Sequence, residues 1–274
     1  MFKIIGDGAF AKALTRIIQD RNGTISDYDY TWIIPCVPSY ALPEVGIDID
    51  KKILFVSKGI LRAEHKSHLV SEWAKQIGYK FAYLSGPHLA HELQSGLDSM
   101  STIAATNRSM YDEIKHYFPN PSYSSNIDLL CLAGVVKNII AYASGLYAAA
   151  GWGENVRACI ITGSLRELSN LAGAMGIKFD HAELLQPGIL ADLILTGTSS
   201  NSRNFKAGYN KYKGLSHNEL TESHHSATAL IDRIKQSEKW PLISLVAHSM
   251  EADQLGADLL SQTWQKLCEN CTTS

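Results

Sequence analysis

Phe2-Lys3-Ile4-Ile5-Gly6-Asp7-Gly8-Ala9-Phe10-Ala11 is the stretch on which the fold of this chain turns. Four residues of strand character run into two glycines, and Ala11 to Gln19 then carries the apolar spacing of a helix. A strand, a tight glycine turn and a helix, in that order, make a cradle for a pyrophosphate. Gly6 permits the turn, Gly8 lets backbone approach phosphate oxygens, and the small Ala11 lets helix pack on strand. The helix N-terminus adds unpaired N–H groups and a favourable dipole for the anion. A glycine turn of purely structural use is the competing explanation.

Working outward, strand-like runs follow at Tyr30 to Val37, ending at Pro38-Ser39, and at Ile53 to Val56, ending at Ser57-Lys58-Gly59. Ala63 to Ile77 has helical spacing. Further strands are predicted at Phe81 to Leu84, ending at Ser85-Gly86-Pro87, and at Ser101 to Ala105. Strands alternating with helices, each with polar or glycine residues at its C-terminal end, predict an open α/β sheet that takes ligands along that edge. Asp27 and Asp29 stand about 20 residues beyond the glycine turn, the spacing of a ribose-binding acid. They precede the next strand, however, and are assigned to a loop.

Beyond residue 125 the strand signals stop. Helices are expected over Leu129 to Ala150, over Asn155 to Ala174, and over Asn218 to Gln236 and Trp240 to Leu267. Gly197-Thr198-Ser199-Ser200-Asn201-Ser202-Arg203-Asn204 is predicted as a small-residue loop. Its hydroxyl and amide groups with one arginine suit a phosphate, although such loops are more often only connections. Gly134-Val135-Val136-Lys137-Asn138 places a lysine inside an otherwise apolar helix. Burying an ammonium group without a partner costs several kcal/mol, roughly, so such a lysine is paired, neutralised, catalytic, or snorkelling to water.

Composition narrows the class. The 274 residues are 45% hydrophobic and 19% charged with a net charge of −2, which gives no reason to expect nucleic acid or an anionic membrane as partner. Met1-Phe2-Lys3 enters a strand without the features of a signal peptide, and a cytoplasmic protein is expected. The 129–150 run approaches the length of a membrane span, yet it contains Lys137 and Asn138 and is assigned to a buried helix, not to membrane insertion. Five cysteines without regular spacing make no disulfide framework. Cys268 and Cys271 form an isolated CxxC, the histidines are sparse, and no metal site is expected.

Read together, GDGAFAKAL, CVPS, SKGI, LSGPHLAHEL, GVVKNIIAYASGL, GENVRACIITGSLREL and ADLILTGTSSNSRN resemble, in order and spacing, the bacterial type of NAD(P)-dependent glycerol-3-phosphate dehydrogenase. The resemblance runs from Lys3 to about Gly208. It implies an α/β Rossmann-like domain over 1–125 and an all-α substrate domain over 126–274. It implies NAD or NADP as cofactor, a small phosphorylated three-carbon substrate, a homodimer, and a role in glycerophospholipid precursor synthesis. Lys137 falls on the family's catalytic lysine, Lys58 on the second active-site lysine, and Asp192 on a further catalytic position. Substrate contacts are implied for Lys58, Gly86, His88, Asn138, Thr196, Ser202, Arg203 and Asn204. Cofactor contacts are implied for Gly6, Gly8, Ala9, Phe10, Ala11, Pro38, Lys58, Ala90, Arg203 and Glu222.

The chain also departs from that pattern. Ala11 replaces the third glycine, Phe10 the usual tryptophan, and His88 a small hydroxyl residue. Leu220-Thr221-Glu222-Ser223 is the nearest match to an acidic cofactor run. Only 18 residues separate Leu14 from Ile33, so the family's second and third strands are expected to be missing and the adenosine end of the cofactor to lose its usual floor. Two alternatives follow: a non-catalytic phosphometabolite-binding protein that has lost its cofactor site, or another oxidoreductase of the 6-phosphogluconate-dehydrogenase-like superfamily.

Overall fold

A computed structural model describes residues 1–215, 222–234, 239–252 and 255–272. The chain forms two compact units, Met1–Gly134 with Phe179–Asp192, and Val135–Lys178 with Leu193–Ser274.

The first unit is built on a six-stranded sheet. Its elements run β1 (Phe2–Ile5), α1 (Ala9–Gln19), β2 (Trp32–Pro35), β3 (Lys52–Phe55), β4 (Ile60–Ala63), β5 (Lys66–Leu69), α2 (Val70–Ile77), β6 (Lys80–Ser85), α3 (Ala90–Gln94), β7 (Ser101–Ala105), α4 (Arg108–Ile114) and β8 (Pro121–Ser124). The strand order is β1-β2-β3-β6-β7-β8. Every pair is parallel except the antiparallel β6–β7. Strand side chains alternate between faces. Phe2, Trp32 and Ile34, Leu54, Ala82 and Leu84, and Ile103 pack with Leu14, Ile17 and Ile18 of α1 and with Met110 and Ile114 of α4. Each of those large apolar side chains contributes about 1.5–3 kcal/mol by leaving water. On the other face Phe55 packs edge-on against Trp73 of α2 and against Phe81, at ring separations of 6.1 and 5.6 Å.

Three features differ from the sequence expectation. The helix expected over Ala63 to Ile77 is a two-stranded hairpin, β4–β5, followed by α2 alone. Glu64 and His65 form its two-residue turn, with φ of +50° and +61°. That is the turn geometry matching strand twist, but it is normally written with Asn or Gly. β8 was not expected. It begins with Pro121, which an edge strand tolerates because its first N–H is not needed for the ladder. Finally, the unit does not end at residue 125. Phe179–Asp192 belongs to it, where the Gly188 N–H donates to Thr102 Oγ1 on β7 at 2.9 Å.

The outer edge of β1 has one short partner. Ile25 forms an isolated parallel bridge to Phe2. The Phe2 N–H donates to the Thr24 carbonyl at 2.8 Å, and the Ser26 N–H donates to the Phe2 carbonyl at 2.9 Å. Asp27 and Asp29 lie in the loop that follows, and Ser26 Oγ accepts the Asp29 N–H at 3.1 Å.

The helix α5 (Ile127–Ala149) leaves the first unit at Gly134 and enters the second at Val135. It is long and apolar enough to cross a membrane, but 94% of its most apolar window is buried within the protein, which makes it a core helix. The second unit continues with α6 (Glu154–Ala174), α7 (Asp192–Thr198, whose first residue is counted with the first unit), α8 (Arg203–Tyr212), α9 (Glu222–Ile234), α10 (Pro241–Glu251) and α11 (Ala257–Thr272). The helix expected over Trp240 to Leu267 is thus two, interrupted where Ala252 turns to extended backbone. The loop expected over Gly197 to Asn204 is shorter than predicted. Gly197 and Thr198 complete α7, and Arg203 and Asn204 open α8.

Candidate functional site

In the first unit the glycine turn is built as the sequence demands. Gly6 has φ +115°, and a Cβ there would lie 2.6 Å from the Cys36 carbonyl oxygen, so only glycine fits. Gly8 differs. It caps α1 with ordinary φ of −64°, and a Cβ added to it would meet nothing within 4 Å. Protein packing therefore does not require glycine at position 8, and the open space above its backbone suits a close-lying ligand. Because Gly8 has no side chain, no side-chain cap takes the first N–H groups of α1, at Ala9, Phe10 and Ala11. Gln94 Nε2 donates to the Ala9 carbonyl at 2.7 Å, and Arg16 donates to the Gln94 carbonyl, so α3 braces the start of α1. These residues fit a dinucleotide pyrophosphate. Cys36 beside the turn is no nucleophile, since burial pushes its thiol up to about 12.

Pro38 precedes a 3-10 turn over Ser39–Glu44, and Ala90 opens α3. His88 folds back over Gly86. Its Nε2 lies 3.1 Å from Ser101 Oγ, and its ring stacks with Phe10 at 6.2 Å and 27°. A Cβ at Gly86 would come within 2.6 Å of that imidazole. His88 is accommodated by a glycine beneath it and a buried serine beside it.

Lys58 and Asp192 form the buried ion pair of this unit. Nζ to Oδ2 is 2.8 Å, with the two side chains 13% and 2% exposed. Ser85 Oγ donates to the same Oδ2 at 3.2 Å. Upstream, Ser57 Oγ donates to the Val37 carbonyl and Tyr83 Oη to the Ser57 carbonyl, so the backbone carrying Lys58 is fixed from two strands' ends. Ser85 is a participant that sequence reasoning passed over, although it directly precedes Gly86.

In the second unit Lys137 has a distinctive position. From Leu129 to Tyr147 every residue of α5 is buried except Lys137, which is half-buried. Asn138 beside it is buried, and Asn204 Nδ2 donates to Asn138 Oδ1 at 3.0 Å. Two glycines make that meeting possible. A Cβ at Gly145 would lie 2.1 Å from the Phe205 carbonyl, and one at Gly208 would lie 2.0 Å from the Tyr142 carbonyl. α5 and α8 therefore cross backbone to backbone. Ser202 caps α8 by accepting the Phe205 N–H at 3.3 Å, which leaves the N–H groups of Arg203 and Asn204 without a partner inside the helix. The Arg203 side chain is exposed at this same helix start, and Thr196 is half-buried on α7. Sequence reasoning passed over Gly145 and Gly208, since only the meeting of two helices distant in the chain reveals their use. Glu222 opens α9; its side chain, and Leu220 and Thr221 before it, lie outside the described residues.

Residues 128–253 match the family model for the C-terminal region of NAD-dependent glycerol-3-phosphate dehydrogenase. A glycerol-3-phosphate dehydrogenase (NAD(P)+) of Rickettsia prowazekii is 34% identical over 241 residues, covering 80% of this chain and 76% of the relative. Among solved structures, glycerol-3-phosphate dehydrogenase from Coxiella burnetii aligns with a TM-score of 0.83 at 23% identity over 98% of both chains. The Plasmodium falciparum glycerol-3-phosphate dehydrogenase aligns at 0.80 and 15% identity, over 100% of this chain and 95% of that one. These two likenesses concern the fold.

Proposed function

The chain belongs to the NAD(P)+-dependent glycerol-3-phosphate dehydrogenases, and we propose that it interconverts sn-glycerol 3-phosphate and dihydroxyacetone phosphate with Lys137 as the proton-transfer group. The observation that carries this assignment is that Lys137 alone stays accessible along the buried stretch of α5. An ammonium group held in such a place is matched to one task in this reaction. Reduction of the ketone leaves negative charge on the C2 oxygen, and Lys137 Nζ stabilises that oxygen and gives it a proton; in the reverse direction it takes the proton back. A bound nicotinamide dinucleotide supplies the hydride to C2, or accepts it from the alcohol.

The other residues bind and orient. Gly6, Gly8, Ala9, Phe10 and Ala11 hold the pyrophosphate through backbone N–H groups, with Pro38, Lys58, Ala90, Arg203 and Glu222 as further cofactor positions. Arg203, with Ser202, Asn204 and the start of α8, takes the substrate phosphate, a contact remote from the reacting carbon that fixes its orientation. The hydrogen bond from Asn204 sets the Asn138 amide for the substrate, and Thr196 and Gly86 complete the set. The Lys58–Asp192 pair serves the chemistry electrostatically. His88 acts through Phe10 and Ser101 rather than as the small hydroxyl group it replaces.

Either NAD or NADP is proposed as cofactor. The isolated bridge at Ile25 supports a cofactor domain shortened on its adenosine side, without the family's second and third strands. Five free cysteines support a cytoplasmic location. A homodimer and a role in glycerophospholipid precursor synthesis belong to the same proposal, on the resemblance alone. Mixing the protein with dihydroxyacetone phosphate and either NADH or NADPH tests it. Loss of reduced-cofactor absorbance with one of them is the expected result. No loss with either at millimolar cofactor would favour the non-catalytic binder.

A further inference from the structure

Ser85 closes β6 with its side chain fully buried, and its Oγ donates to Asp192 Oδ2 at 3.2 Å. The same oxygen takes the Lys58 ammonium at 2.8 Å, so two donors from neighbouring strand ends converge on one carboxylate atom. Ser85 is held by strands on both sides. β6 pairs with β3 up to Phe55 and Tyr83, and Ser85 itself is in register with Thr102 of β7. Thr102 Oγ1 accepts the Gly188 N–H, so the segment that delivers Asp192 is fastened to the sheet by two adjacent hydroxyls, Thr102 at Gly188 and Ser85 at Asp192. Between those points the chain makes a π-helical turn over Pro187–Ala191, a local widening frequent at functional sites. Asp192 is 1% exposed, and a carboxylate so buried depends on the donors that reach it. Lys58 brings a point charge on a flexible four-carbon stem, whereas Ser85 brings a short side chain on a paired strand. Ser85 is therefore the more rigid of the two donors.

We propose that Ser85 is a positioning residue for the dehydrogenase reaction: its hydroxyl holds Asp192 Oδ2 in place, and the carboxylate in turn fixes where Lys58 presents its ammonium group. The role rests on the assignment of Lys58 and Asp192 to the reaction, and Ser85 acts through Asp192 rather than on the substrate. Without Oγ the carboxylate is free to turn about its Cβ bond, and the Lys58 head follows it away from the position in which its charge is useful.

Turnover of dihydroxyacetone phosphate and urea unfolding of the full chain test this on wild type, Ser85→Ala, Asp192→Ala and the double variant. Ser85→Ala should stay folded and lose roughly ten- to hundred-fold in kcat, the effect of removing a hydrogen bond to a charged group. In the Asp192→Ala background the same substitution should change kcat by less than about two-fold and leave the urea midpoint where Asp192→Ala set it. A hydroxyl that served packing alone would cost the same in both backgrounds. If Ser85→Ala fails to fold, Ser85→Cys, with a thiol that is only a weak donor, carries the same comparison. Wild-type kcat in Ser85→Ala, or an equal loss in both backgrounds, would overturn the role. Should wild type turn over with neither NADH nor NADPH, the proposed function fails on its own. The urea midpoints then still decide the Ser85 contact: coupled losses support it and additive losses overturn it.

Discussion

Gly208→Ala connects the packing of the helical unit to its chemistry. The added methyl would sit 2.0 Å from the Tyr142 carbonyl oxygen, where Cβ contacts essentially never fall below 3.0 Å. The obstacle is helix backbone, so it cannot rotate away, and α8 must withdraw by about 1 Å to a tolerable contact. Two terms then compete. Alanine favours the helix over glycine by about 1 kcal/mol, whereas overpacking costs ~1–3 kcal/mol and a rigid obstacle pushes that to the upper end. Asn204 lies one helical turn from Gly208, so the same withdrawal stretches its 3.0 Å bond to Asn138 past hydrogen-bond range, for a further ~0.5–1.5 kcal/mol. The net expectation is a loss of roughly 2–3 kcal/mol, or about 4–10 °C in Tm for a unit of this size. Thermal melting followed by circular dichroism measures that loss. KM for dihydroxyacetone phosphate should rise in the same variant, because Asn138 and Arg203 are displaced. A Tm equal to or above wild type would refute the packing argument. A lowered Tm with unchanged KM would show that the helix crossing does not set the site.

Two further outcomes are expected. Asp192→Ala removes the carboxylate 2.8 Å from the largely buried Lys58 ammonium; allowing for its 13% exposure, urea unfolding should show about 2–4 kcal/mol lost, with turnover strongly reduced, and a variant of wild-type stability and rate would contradict the pairing. Glu167→Gln should flatten the pH dependence of stability. Burial pushes the Glu167 carboxyl from its ordinary 4.5 up to about 8, so between those values the folded chain holds a proton that the unfolded chain has lost. Stability therefore falls as pH rises through that window, by at most ~1.4 kcal/mol per pH unit. Urea midpoints at the two ends of the window, compared between wild type and Glu167→Gln, read this slope directly; parallel profiles would exclude it.

The parts of the molecule that were legible in the sequence are those where one residue type has one physical use. Gly6 after a strand announced the tight turn into α1, where its φ of +115° and the nearby Cys36 carbonyl admit only glycine. The order of the motifs identified the family. What stayed hidden depended on context. Glu64-His65 adopts a left-handed turn without the asparagine or glycine that signals one, so the β4–β5 hairpin was masked by helical spacing. Pro121-Ser122-Tyr123-Ser124 pairs at a sheet edge with little apolar alternation to reveal it. Gly145 and Gly208 carried no signal in the sequence, because their use lies in the close crossing of α5 and α8. Segment Phe179–Asp192 returns to the sheet through Thr102, a contact between residues distant in the chain that no local pattern encodes.

Lys137 carries the central claim, and its removal tests that claim most directly. Lys137→Ala should keep wild-type circular dichroism and Tm, since a half-buried side chain is lost from a helix otherwise held by its apolar residues. Its turnover of dihydroxyacetone phosphate, with whichever of NADH or NADPH serves wild type, should fall by about 10²–10⁴-fold, the contribution of a positioned proton donor. A folded Lys137→Ala protein that retained most of the wild-type rate would contradict the account.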